Sequence, residues 1–169
     1  MTENLWAPWR MAYVGREDPE GGCFLCRAGQ AAADADREHL VVARGERWFC
    51  IINRFPYNNG HVMIAPYEHQ GDLGGLDEAC LTDMMRAVVV ARDALRRALG
   101  AQGFNIGLNL GRCAGAGVAD HLHVHVVPRW PGDVNFMPVL ADVKVIPQAL
   151  EDLCAALVRA KSSDETQKG

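Results

Sequence analysis

One short segment constrains the fold more than any other feature of this sequence, because three histidines alternate in it with apolar residues. Residues 121–127 read HLHVHVV. Alternate residues of a β-strand point to the same face. The pattern therefore predicts a strand over residues 122–127 with all three imidazoles on one face. Its apolar face is expected to enter the core, which leaves a row of imidazoles at a surface or cleft.

The other periodic segments are strand patterns on either side of one long helical pattern. The helix is expected to begin after an N-cap at Asp77 and to end at Gly100, and a second amphipathic helix is expected over residues 147–161. Apolar runs predict four more strands, over residues 40–44, 48–53, 61–66 and 104–110. Strands grouped before and after a helix indicate an α+β fold with an antiparallel sheet of about five strands.

Length and composition limit the class of protein. A chain of 169 residues with 49% apolar residues predicts one globular domain rather than a disordered chain. We assign that domain to residues 1–161, with an N-terminal arm over 1–22 and a flexible tail over 162–169. The absence of a signal-like or membrane-spanning run predicts a cytoplasmic protein with no membrane partner. A net charge of −4 disfavours nucleic acid as a partner.

The six cysteines divide into one motif and four scattered residues. Cys23 and Cys26 have the spacing of half a metal site or a redox pair. The other four are expected to be small buried apolar residues.

Three histidines on one strand face suit chemistry better than packing, since neutral imidazole is a nucleophile, an acid–base group and a metal ligand. Two other interpretations remain open: a histidine-rich structural strand, and a three-histidine catalytic zinc site. The second is awkward because residues i and i+2 of a strand are about 7 Å apart. The glycine-rich loop before the strand, with Gly115 and Gly117, favours a phosphate site formed by backbone N–H groups.

These motifs resemble the histidine-triad (HIT) family, whose signature alternates histidine with apolar residues as residues 121–127 do. The resemblance extends to NRFP at 53–56, GHVMIAP at 60–66 and Pro128-Arg129. Flanking segments at 5–10, 114–117 and 129–137 resemble the bacterial branch that contains diadenosine tetraphosphate phosphorylases.

The resemblance implies a HIT-like fold and an enzyme that acts at the α-phosphate of a small nucleotide through a nucleotidyl-histidine intermediate. It makes His123 the nucleophile and His125 the donor to the phosphate or leaving group, with His121 as the first member of the triad. His61 is expected to be packed and hydrogen-bonded rather than catalytic. The residues expected to bind the nucleotide and its phosphates are Asn53, Asn109, Gly115, Gly117 and Val118.

A departure from the family pattern refines the expected reaction. Many hydrolase members carry glutamine four residues before the first histidine, where this chain has Gly117. The missing side chain opens space near phosphorus, which favours inorganic phosphate as second nucleophile and predicts phosphorolysis of diadenosine tetraphosphate to ADP and ATP. The alternatives are hydrolysis of dinucleoside polyphosphates or nucleoside phosphoramidates, and a non-catalytic nucleotide-binding regulatory protein.

The resemblance also implies a structural zinc and a homodimer, with no organic cofactor. Family members with such a Cys-x-x-Cys pair complete the zinc site with two histidines, which by match are His69 and His121. The resulting ligand set is Cys23, Cys26, His69 and His121.

Overall fold

The structure is a computed structural model that describes residues 21–133 and 148–166, with only the backbone described over 161–166. Most of the predicted N-terminal arm and Pro147, the predicted start of the last helix, lie outside these residues. Five strands form one antiparallel sheet in the order β1-β2-β3-β5-β4. They are β1 (Val41–Arg44), β2 (Trp48–Ile52), β3 (Val62–Pro66), β4 (Gly103–Leu108) and β5 (Val124–Arg129). The α+β prediction is confirmed.

Within the described residues, four α-helices accompany the sheet. They are α1 (Phe24–Gln30), α2 (Asp36–His39), α3 (Glu78–Leu99) and α4 (Leu150–Thr166). The long helix begins as predicted, because the Asp77 side chain accepts a hydrogen bond from the Cys80 N–H at 2.6 Å. It ends at Gly100, whose φ of 62° is the left-handed conformation typical of a helix C-cap.

The two long helices form a layer on one face of the sheet. Helix α3 packs on β2, β3 and β5, and α4 packs on β1 and α3. Apolar side chains in β5 and just before it enter the core beneath α3: Leu122, Val124 and Val126 are all buried, as the alternation predicted. Histidine and asparagine side chains of β4 and β5 therefore belong to the opposite face of the sheet. No helix within the described ranges has the length and apolar character needed to span a bilayer.

Three expectations are corrected. The histidine strand begins at Val124 rather than Leu122. Its partner β3 ends at Pro66, whose carbonyl accepts from the His121 ring. The Leu122 N–H donates to the Gln70 carbonyl rather than to β3. The imidazoles also do not form an exposed row, since His121 is 0% and His123 6% exposed. Cys113 is exposed on the loop after β4, although the other scattered cysteines are buried as expected.

Candidate functional site

His121 is held between the sheet and the N-terminal part of the fold. Its Nε2 donates to the Pro66 carbonyl at 2.9 Å, since a carbonyl only accepts. The neutral ring therefore presents the lone pair of Nδ1, which lies 3.3 Å from Cys23 Sγ and 3.4 Å from Cys26 Sγ. Burial lowers the pKa of His121 below its ordinary value, which favours this neutral form.

His123 is fixed in the tautomer that a nucleophile requires. Its Nδ1 donates to the His121 carbonyl at 2.8 Å, so Nε2 carries the lone pair in the neutral ring. Burial also lowers the pKa of His123, with the same carbonyl bond opposing the shift. In this form the buried ring can act as a base or a nucleophile through Nε2, and its orientation is set by the backbone carbonyl two residues earlier.

His125 is oriented by a fourth histidine. The Tyr57 N–H donates to His61 Nδ1 at 3.1 Å, which places the proton of the neutral His61 ring on Nε2. That Nε2 lies 2.9 Å from His125 Nδ1 and donates to it. The proton of the neutral His125 ring is consequently on Nε2, where it is available for donation to a bound oxygen.

These rings form a compact aromatic cluster. The His123 and His125 ring centroids are 4.8 Å apart in an edge-to-face arrangement, and His125 and His61 are 5.1 Å apart. Tyr57 stacks on His61 with a centroid distance of 4.8 Å and completes the wall beside His125. Prediction from sequence identified His61 as packed and hydrogen-bonded, which the geometry confirms, but it missed the bond to His125. The pairing of β3 with β5, in which Met63 lies opposite His125, brings the His61 and His125 rings together. A sequence pattern within one strand does not reveal this pairing.

The predicted zinc ligands are brought together. One ligand atom from each of four residues lies within 4.8 Å of the other three, and Cys26 Sγ is 3.1 Å from His69 Nδ1. Two thiols and two imidazoles are the donor set that zinc prefers in a closed tetrahedral site. The Pro66 carbonyl that accepts from His121 is the kind of outer partner that orients a metal-bound histidine. The four members are Cys23, Cys26, His69 and His121.

Among the described residues, this cluster contains one triad histidine rather than three. His123 instead directs Nδ1 to a backbone carbonyl, and His125 directs Nδ1 to His61. The three imidazoles therefore have three different partners. This arrangement disagrees with a catalytic zinc held by all three triad histidines.

The predicted nucleotide contacts lie in different parts of the site. Asn53 is buried next to His61, with its Oδ1 accepting from the Phe55 N–H at 2.9 Å and its Nδ2 3.3 Å from His61 Nδ1. It thus closes a turn and supports the histidine cluster. Asn109 reaches the glycine loop, where its Nδ2 lies 3.4 Å from the Gly115 carbonyl.

Two glycines of the loop before the histidine strand have a left-handed backbone conformation. Gly111 and Gly115 have φ of 76° and 84°, values that favour glycine because a side chain would clash there. Gly117 is exposed and Val118 is partly exposed shortly before the buried His121.

An open cleft of about 470 Å³ lies beside the histidine cluster. Its size is within the range of small-molecule sites. The lining residues are Tyr57, Asn105, Ile106, Gly107, Leu108, Asn109, Ala114, His125 and Val127.

Comparison with known proteins decides the family. The HIT domain profile matches residues 35–132. The chain belongs to the HIT domain family. It is 39% identical over 155 residues to a Mycobacterium tuberculosis protein named AP-4-A phosphorylase, an alignment that covers 89% of this chain and 80% of that protein. Family and relative together support a nucleotide hydrolase or transferase.

Solved structures agree on the fold. A zinc-bound histidine triad family protein from Mycobacterium smegmatis superposes with a TM-score of 0.68 at 26% identity, covering 86% of this chain and 97% of that one. A histidine triad nucleotide-binding protein from Sulfolobus tokodaii has a TM-score of 0.65 at 24% identity, with coverage of 83% and 93%.

Proposed function

We propose that this HIT protein is a nucleotidyl transferase that cleaves diadenosine tetraphosphate by phosphorolysis to ADP and ATP. The observation that carries the proposal is the bond from His123 Nδ1–H to the His121 carbonyl, because it aims an unprotonated Nε2 beside the proton-bearing His125. The name of the 39%-identical relative supports the substrate and the reaction.

The first half-reaction forms a covalent intermediate. His123 Nε2 attacks the α-phosphorus, and the bond from that phosphorus to the bridging oxygen breaks in line with the attack. His125 Nε2–H donates its proton to the departing oxygen, so that ATP leaves. AMP remains bonded to His123. Backbone N–H groups of the Gly115–Val118 region are proposed to hold the phosphoryl oxygens, and Asn53 and Asn109 to contact the ribose and phosphates.

The second half-reaction returns the enzyme to its starting state. An oxygen of inorganic phosphate attacks the same phosphorus and gives its proton to His125 Nε2, the bond to His123 Nε2 breaks, and ADP is released. The exposed Gly117 contributes no side chain beside the glycine loop, which supports entry of a nucleophile larger than water. Hydrolysis of phosphoramidates uses the same residues with water in place of phosphate.

Product analysis tests the phosphorolysis. Purified enzyme is incubated with diadenosine tetraphosphate with and without ³²P-labelled inorganic phosphate. The proposal predicts equal amounts of ADP and ATP, with the label in the β-position of ADP. AMP and ATP as products whether or not phosphate is present would show a hydrolase instead.

We also propose that Cys23, Cys26, His69 and His121 hold one structural zinc ion per chain. The support is the approach of four suitable ligand atoms, and a zinc-bound protein is among the structural relatives. A closed site would tie α1 to the histidine segment and supply no open position for substrate. Elemental analysis should find about one zinc per chain in the wild type. Cys26→Ser should reduce it, whereas Cys113→Ser should not.

A homodimer is proposed from the family resemblance. Strand β4 is an edge of the sheet, and apolar side chains stand exposed there and on the long helix, among them Ile106, Met85 and Val89. Exposed apolar residues next to an unpaired strand edge suit a second copy of the chain. Sedimentation equilibrium should give twice the 18.5 kDa chain mass, and a mass of one chain would contradict it.

A further inference from the structure

The cleft beside His125 extends along the sheet beyond the catalytic rings. In the β4–β5 pairing, Gly107 lies opposite His125, and Asn105 lies opposite Val127. Directly opposed residues of an antiparallel pair share a face, so these four residues form one surface. The cleft therefore runs from His125 toward the far end of β5.

Gly107 supplies the open floor of this cleft. A Cβ placed on Gly107 meets nothing within 4 Å, and its backbone has an ordinary strand conformation. Neither packing nor backbone strain requires glycine at this position. The absence of a side chain instead leaves room directly across from the ring that donates to the leaving group.

Polar groups lie at the far end. Arg129 is on the same face as His125, four residues along β5, or about 13 Å at the usual strand rise. Its Nη1 donates to Asn105 Oδ1 at 2.7 Å, which orients the Asn105 amide so that its N–H groups are donors for other partners. The remaining guanidinium nitrogens bond Asp133 at 2.6 and 2.9 Å, so the arginine is held in place.

The chemistry identifies what occupies the cleft. In an in-line displacement the leaving group departs on the side of the phosphorus opposite the nucleophile. His125, the proton donor to that group, lines the cleft, whereas the buried His123 attacks from behind. We propose that the cleft floored by Gly107, with Asn105 oriented by Arg129 at its far end, is the subsite for the leaving polyphosphate of a dinucleoside polyphosphate. This inference rests on the proposed function and adds the residues that contact the leaving group.

Two substitutions separate this subsite from the catalytic residues. Gly107→Val fills the floor with a residue that suits a strand. Asn105→Asp keeps the size of the side chain and its bond to Arg129 but places a negative charge against the polyphosphate. Gln102→Glu adds the same charge on an exposed residue just before β4 and serves as the matched control.

The test measures binding of two ligands to each full-length protein by calorimetry. One is a diadenosine tetraphosphate analogue with methylene groups in place of its bridging oxygens, and the other is AMP, which has no leaving group. Gly107→Val and Asn105→Asp should each weaken binding of the analogue by about tenfold or more, while AMP binding stays within about twofold. Gln102→Glu should change neither affinity.

Unchanged affinity for the analogue in both cleft variants would overturn the subsite. An equal loss of affinity for the analogue and for AMP, in a variant as stable as the wild type, would also overturn it. Turnover of diadenosine tetraphosphate by the wild type separates the two proposals. If the wild type turns it over and the cleft variants bind it normally, the subsite is wrong and the function stands. If the wild type neither binds the analogue nor turns over the substrate, both fail.

Discussion

Substituting His61 in two ways should separate its two hydrogen-bonding roles. The ring accepts at Nδ1 from the Tyr57 N–H and lies within reach of the Asn53 amide, and it donates from Nε2 to His125. Asparagine at this position places an oxygen near the site of Nδ1 and has no group at the site of Nε2. Glutamine places an amide N–H near the site of Nε2 and has no acceptor at the site of Nδ1.

The structure sets the expected size of each effect. His61 is 0% exposed, so a donor that loses it is left without a partner, at about 1–3 kcal/mol for each group. His61→Gln leaves two such donors and should lower the free energy of unfolding by about 2–6 kcal/mol. His61→Asn preserves the acceptor and should cost about 1–2 kcal/mol, mainly from lost packing.

Activity should show the reverse order. His61→Asn removes the donor that keeps the His125 proton on Nε2, so kcat/KM should fall by about 10- to 100-fold, a part of the usual contribution of a general acid. His61→Gln should retain most activity under conditions where it is folded. The loss in His61→Asn should be larger for a nucleoside phosphoramidate than for a p-nitrophenyl ester, whose leaving group needs little protonation.

Urea unfolding and steady-state kinetics on both variants check these values. If His61→Asn is as active as the wild type while His61→Gln is impaired after correction for its folded fraction, the assignment of the His61 and His125 tautomers is refuted. A loss that is the same for both leaving groups would show that His61 acts only through packing.

Three further predictions concern stability. Removal of metal by a chelator should lower the melting temperature of the wild type but not of Cys26→Ser, as measured by calorimetry; equal shifts would argue against the four-residue site. Gly60→Ala should destabilise the fold by about 2–4 kcal/mol, because a Cβ there would lie 2.5 Å from a leucine side chain of α3. Gly100→Ala, also at positive φ but in open space, should cost about 1 kcal/mol. Chemical denaturation measures both losses, and equal losses would contradict the clash at Gly60. Arg129 lowers the pKa of Asp133 to about 2, so the Asp133 carboxylate contributes stability above about pH 4 that is lost as the pH falls toward 2. In unfolding curves, the stability difference between the wild type and Asp133→Asn should shrink over that range. A constant difference would exclude the ion pair as its source.

Much of the fold follows from local periodicity. The alternation at β5, the helical spacing of α3 and its Asp77 and Gly100 caps are each properties of a short window, and each is observed. The residue at which the histidine strand begins could not be predicted in this way. It depends on Pro66, a residue far away in the sequence whose carbonyl bonds the His121 ring.

In the candidate site too, some features follow from local spacing in the sequence and others from strand pairing. Spacing in the sequence predicts a strand of histidines and half a metal site at Cys23 and Cys26, and only resemblance to a family supplied His69 and His121 as the other half. The bond from His61 to His125 and the cleft at Gly107 arise from strand register. Register joins residues about 20 to 60 positions apart, and a pattern within one strand carries no information about it.

The most direct test of the account is to trap the covalent intermediate on His123. The wild type, His123→Ala and the control His39→Ala are mixed with diadenosine tetraphosphate labelled with ³²P at the α-position in the absence of phosphate, quenched in alkali and digested. The peptide that contains His123 should carry the label in the wild type and in His39→Ala, and no label should be bound in His123→Ala. Unlabelled phosphate added before the quench should transfer the label to ADP. Turnover of the substrate with no protein-bound label, or label retained in His123→Ala, would contradict the account.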